Sequence, residues 1–105
     1  MSKISEQFIR YAKIDTQSDP DSTTCPSTNK QFNLAKVLKD ELEQMGVTKT
    51  ELDENGYLYA TIPTNVKHKV PTVAFIAHLD TSPDMPADNV KPIVVKDYSG
   101  KDIIL

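Results

Sequence analysis

The sequence predicts an α/β chain. Three observations carry that prediction. Two stretches place apolar residues at helical spacing, an Asn-Gly pair stands between two β-forming runs, and a short apolar run from Thr72 to Ala77 ends in His78-Leu79-Asp80. Helices come first and β-forming runs follow, so the pattern reads as two helices and a mixed sheet with an early hairpin.

Ile4, Phe8, Tyr11 and Ala12 recur on one helical face, which predicts an amphipathic helix over residues 2–13 with Ser2 as its cap. A long polar loop follows, from Asp15 to Ser27; loops of that length inside a domain are uncommon and often functional. Thr28 and Gln31 have capping-box spacing, and Leu34, Ala35, Leu38, Leu42 and Met45 form one apolar stripe behind them. The stripe reads as a core face. Gly46 stands where a helix ends in a left-handed residue, with apolar Val47 after it. Thr48 to Leu52 and Tyr57 to Ile62 read as strands joined through Asn55-Gly56. Pro63 to Lys69 is a polar connection. Thr72 to Ala77, rich in β-formers and bounded by Pro71, reads as a buried strand, and Thr81 to Lys91 as a loop. Ile93-Val94-Val95 and Ile103-Ile104-Leu105 are two further strand candidates, joined through Ser99-Gly100.

A chain of 105 residues is one domain at most, with a modest core. Apolar residues make up 38% and charged residues 26%, a globular balance. The net charge of −3 is mild and the lysines are scattered, so nucleic acid is a poor fit as a partner. No apolar stretch reaches the length of a membrane span, and the residues after Met1 lack the apolar core of a signal peptide. Cys25 is the only cysteine, so no internal disulfide forms and a cytoplasmic home is expected; the thiol reads as an incidental loop residue, since no base stands near it in sequence. Leu105 falls inside an apolar run, which predicts that these residues are the front part of a longer protein.

The chemistry concentrates at His78 and Asp80. On an extended chain residues i and i+2 face the same side, so both side chains leave the end of the predicted strand together, where ligands bind in open α/β sheets. A neutral imidazole can hold a metal ion, and a nearby carboxylate can fix its tautomer and orientation. One His and one Asp do not complete a hydrolytic metal site, which needs about three protein ligands and an open position. His68, between Lys67 and Lys69, reads as solvated, and Asp84 and Asp88 as solvated loop acids.

Several segments together carry a resemblance. Ile14-Asp15-Thr16-Gln17-Ser18, Pro26-Ser27-Thr28 before the second helix, Asn55-Gly56 in the hairpin and His78-Leu79-Asp80-Thr81-Ser82-Pro83-Asp84 resemble the amino-terminal part of the peptidase T family. These are bacterial tripeptide aminopeptidases within the zinc-dependent exopeptidases, a group that also holds carboxypeptidase G-like and acylase-like enzymes. Ala77 stands before the histidine where the wider group more often has glycine, so the branch rests on the Thr81-to-Asp84 extension. The resemblance implies that residues 1–105 are the N-terminal portion of a zinc-exopeptidase-like catalytic domain. It also implies that His78 is a ligand in a two-zinc centre and that Asp80, a residue often counted as catalytic, orients its ring. The bridging Asp, the Glu general base, the other ligands and the lid domain would lie beyond Leu105. The implied substrate is a tripeptide, the chain alone would be inactive, and exposed sheet edges would favour self-association. A dipeptidase, deacylase or carboxypeptidase of the same group is the second reading. A small non-catalytic α/β interaction module, with His78 and Asp80 structural, is the third.

Overall fold

Ser2 opens the first helix as its spacing predicts. Its Oγ accepts the Ser5 amide at 3.2 Å, and α1 runs over Lys3–Ala12. In the computed structural model, which describes residues 2–104, α1 is followed by α2 (Gln31–Gln44), β1 (Lys49–Leu52) and β2 (Leu58–Thr61). Helix α1 buries none of its residues; Ile4 and Phe8 of its apolar face are exposed. Polar groups attach it to α2: Arg10 and Tyr11 both donate to the half-buried Glu41 carboxylate, and Gln7 Nε2 reaches it at 3.5 Å. Donation to Glu41 and partial burial raise the Tyr11 pKa above its ordinary value.

The start of α2 departs from the capping-box expectation. Its cap position is Lys30, which makes no side-chain capping bond. Thr28 Oγ1 instead donates to the Gln17 carbonyl at 2.8 Å, and Gln31 Nε2 donates to Thr28 Oγ1 and Ser27 Oγ. The hydroxyl that spacing assigns to a cap is used to fasten the preceding loop. The other end of α2 follows the sequence closely. Gly46 has φ +90°, its N–H donates to Glu43 O at 2.9 Å, and the Val47 N–H donates to Leu42 O at 3.0 Å. This is the paired hydrogen bonding of a Schellman stop, in which glycine takes the left-handed residue without a Cβ penalty.

Strands β1 and β2 pair antiparallel, with Lys49 opposite Thr61 and Leu52 opposite Leu58. The connecting turn is organised by Asp53, whose Oδ1 accepts the amides of Asn55 (3.0 Å) and Tyr57 (2.8 Å). Gly56 supplies the positive φ that the turn requires, +82°. Glu43 ties the hairpin to α2 by accepting from Thr50 Oγ1 at 2.8 Å while it pairs with Lys39 at 2.6 Å.

The expected mixed sheet is corrected. Among the described residues the sheet has two strands, β1 and β2. Thr72 to Ala77 is neither a strand nor buried; Phe75 and Ile76 are 96% and 95% exposed. Residues 93–95 and 103–104 are likewise irregular, and Leu105 lies outside the described residues. The physical reason is the same for each. A β-forming run becomes a strand only when a neighbour takes up its N–H and C=O groups, and among the described residues no backbone hydrogen bond reaches these runs.

The core is correspondingly thin. The buried apolar residues among those described are Leu34, Ala35 and Ala87. Leu38 and Leu42 are half-buried, and Met45, the last member of the α2 stripe, is 67% exposed. The radius of gyration is 17.2 Å, against about 13 Å for a folded domain of this length.

Candidate functional site

His78 and Asp80 are brought together. The His78 Nδ1 atom lies 3.0 Å from Asp80 Oδ1 and 2.8 Å from the Asp80 carbonyl oxygen. A carbonyl oxygen only accepts, so Nδ1 carries the proton and donates to both oxygens. In the neutral ring the lone pair is then on Nε2, which points away from Asp80. The imidazole is 85% exposed and the Asp80 side chain 42% exposed. The pair forms in irregular chain rather than at the end of a strand.

What fixes this segment lies at the other end of the sequence. Gln17 and Thr81 form a parallel bridge. The Thr81 N–H donates to Thr16 O (3.2 Å), and the Ser18 N–H and Oγ both donate to Thr81 O (3.0 Å each). Thr16 is 1% exposed, the largest fully buried side chain described. Gln17 Nε2 donates onward to the carbonyls of Pro83 (3.2 Å) and Met85 (2.9 Å). Asp15 supports the same loop, accepting the Gln17 amide (3.0 Å) and pairing with Lys30 Nζ (2.9 Å). Its carboxyl is held below the usual carboxylate range, first by the Gln17 N–H and then by Lys30. The long polar loop that sequence marks as functional thus clamps the residues directly after Asp80. Sequence reading does not single out Gln17, although it stands within the Ile14-to-Ser18 segment that carries the resemblance.

An open groove of about 750 Å³ runs past the pair. Leu38 and Leu42 of α2, Met45 at its C-terminal cap, Leu58 of β2 and Phe75 line it together with His78 and Asp80. The stripe that sequence assigns to a core therefore divides: Leu34 and Ala35 are buried, while Leu38, Leu42 and Met45 face this groove. Cys25 also lines it; its Sγ lies 3.7 Å from the Asn55 carbonyl, and no residue shown here makes it a nucleophile. Asp84 is engaged locally by Ser82 Oγ at 2.8 Å, and His68 is exposed. Among the described residues no three His, Cys, Asp or Glu side chains converge as a metal cage. No described helix is long and apolar enough to cross a membrane.

No protein-family model matches the chain. Individual relatives do. Peptidase T of Halothermothrix orenii is 53% identical over 105 residues, covering 100% of this chain and 26% of the relative. Peptidase T of Staphylococcus epidermidis is 52% identical over 103 residues (98% and 25%), and that of Clostridium acetobutylicum 49% over 105 residues (100% and 26%). The chain spans about a quarter of the length of these relatives. From end to end, it resembles the N-terminal part of peptidase T.

Proposed function

We propose that this chain is the N-terminal portion of the catalytic domain of a metal-dependent tripeptide aminopeptidase, with His78 as a zinc ligand and Asp80 as the group that orients it. The observation that carries the reading is the His78–Asp80 contact. Donation from Nδ1 leaves Nε2 free and exposed, the arrangement a metal-binding imidazole needs. The likeness to peptidase T over the whole chain supplies the reaction class.

The residues present fit one corner of a zinc site. His78 would hold the ion through Nε2, and Asp80 would keep the ring in the Nδ1–H tautomer and raise its basicity. Zinc, when bound in such a centre, lowers the pKa of a water and polarises a peptide carbonyl. In this reading the second ion, the remaining ligands and the general base come from the three quarters of the relatives' length that this chain does not span, as does the lid domain. The exposed run around Phe75 and the open groove beside it support that assignment, since both offer apolar surface for further structure to cover. A cytoplasmic location accords with the single cysteine.

The test is a graft. Residues 1–105 replace the matching stretch of Halothermothrix orenii peptidase T, and the chimera is assayed beside the unmodified relative on tripeptides, dipeptides and acylated amino acids. The expected result is metal-dependent release of the first residue of tripeptides, abolished by His78→Ala. A folded chimera that ignores tripeptides but cleaves acylated amino acids or dipeptides would move the protein to another branch of the group. The chain by itself is expected to be inactive and to self-associate through the exposed 72–77 run. A monomeric sedimentation profile at high concentration overturns the second expectation, and His78-dependent turnover by the chain alone overturns the first.

A further inference from the structure

We propose that Gln17 is a positioning residue for His78, acting through the loop that follows Asp80. The proposal takes His78 as the group to be positioned, as in the function proposed above.

Three observations support it. The Gln17 side chain spans two carbonyls, Pro83 O and Met85 O, and so holds the turn at Pro83–Met85 that follows Thr81. Gln17 is bridged to Thr81, one residue beyond Asp80, by the hydrogen bonds of its two neighbours, from the Thr81 N–H to Thr16 O and from the Ser18 N–H to Thr81 O. The atom next to that bridge, the Asp80 carbonyl oxygen, is the nearer of the two acceptors for His78 Nδ1. Moving the loop therefore moves the acceptors that decide which ring nitrogen bears the proton. A glutamine suits the task because its amide offers two donors to two carbonyls. Methionine of similar length offers none, and glutamate would set a carboxylate against both carbonyl oxygens. Thr28 and Asp15 hold Gln17 in place from behind, through its carbonyl and its amide. The side chain therefore acts from a fixed base.

The test reads the tautomer directly. Side-chain ¹⁵N spectra of the 105-residue chain, recorded without metal at alkaline pH, report whether the neutral His78 ring carries its proton on Nδ1 or Nε2. The unmodified chain is expected to show mainly the Nδ1–H form, and the Gln17 side-chain amide protons are expected to exchange more slowly than those of an exposed glutamine. In Gln17→Met and Gln17→Glu the ratio of Nδ1–H to Nε2–H should fall roughly tenfold, the order expected for losing two neutral hydrogen bonds. Ser18→Ala, which removes one bond to Thr81 O while the Ser18 N–H keeps that carbonyl engaged, should change it by about threefold at most.

An unmodified chain with mainly Nε2–H, or with freely exchanging Gln17 amide protons, overturns the proposal whether or not any variant folds. So does an unchanged ratio in both Gln17 variants, or an equal fall in Ser18→Ala. A merely structural role would lower stability and leave the ratio alone in the folded population. Zinc titration of the same samples tests the metal role separately. Absence of any zinc effect on His78, with the tautomer shift intact, removes the metal reading and leaves the positioning role.

Discussion

Residues 2–62 and residues 63–104 obey different rules. The first region contains both helices, the hairpin and two of the three buried apolar residues, Leu34 and Ala35. The second contains longer apolar runs, yet it has no helix or named strand and leaves Phe75, Ile76 and Ile104 almost fully exposed. Hydrophobicity therefore does not decide which region is organised. The first region is built from instructions that close over a few residues: the Ser2 cap, the Gly46 stop and the Asp53–Gly56 turn. The second has β-forming residues that need a partner strand, and among the described residues its hydrogen bonds to the first region all come through Thr16, Gln17 and Ser18.

The largest effect expected from this contrast lies in the second region and concerns chemistry. In the grafted enzyme Asp80→Asn should lower metal affinity or activity by about 10- to 100-fold, because the ring of His78 loses its charged partner; metal titration and kcat/KM check it. Next comes the core. Leu34→Ala should cost about 2 kcal/mol, read from urea unfolding of the helical signal, at the low end for leucine because the core around it is thin. Gly46→Ala follows at about 1 kcal/mol in the same measurement. Nothing lies within 4 Å of an added Cβ, so the cost is the left-handed backbone alone.

A smaller effect depends on pH. The Asp15 pKa is lowered in the folded chain, so its contribution is present above the unfolded carboxylate range and is lost as pH falls through the folded value. Acid should therefore loosen the Gln17–Thr81 attachment before it melts the helices. Asp15→Asn should flatten that part of the profile, followed by amide shifts of Ser18 and Thr81. The smallest effect is at Phe75. Its replacement by serine should change the stability of the chain by less than about 0.5 kcal/mol, since the ring is 96% exposed. A loss as large as that of Leu34→Ala would erase the contrast between the two regions.

The same contrast explains what the sequence makes legible. Both helices, the Ser2 cap, the Gly46 stop and the hairpin were readable because each is dictated by residues within a few positions. The His78–Asp80 contact was readable for the same reason, being a pair two residues apart. The Gln17 clamp was not, because nothing local links residue 17 to residues 81–85. The strand assigned to Thr72–Ala77 failed because periodicity and β-propensity record a segment's willingness to pair but not the presence of a partner. The Thr28 assignment failed more narrowly. The Thr28 hydroxyl accepts from the Gln31 side chain rather than from a helix amide, while it donates to the Gln17 carbonyl, and spacing does not reveal either partner.

Helix α1 offers one last consequence. With no buried residue, it is held to α2 chiefly by donors converging on Glu41. Such an attachment weakens with ionic strength, whereas packing does not. The helix should therefore lift away as a unit, at a free energy well below that of global unfolding. Added salt should speed amide exchange in α1 while α2 keeps its protection, so the amino-terminal turn of the chain behaves as an electrostatic latch on a hydrophobically seated frame.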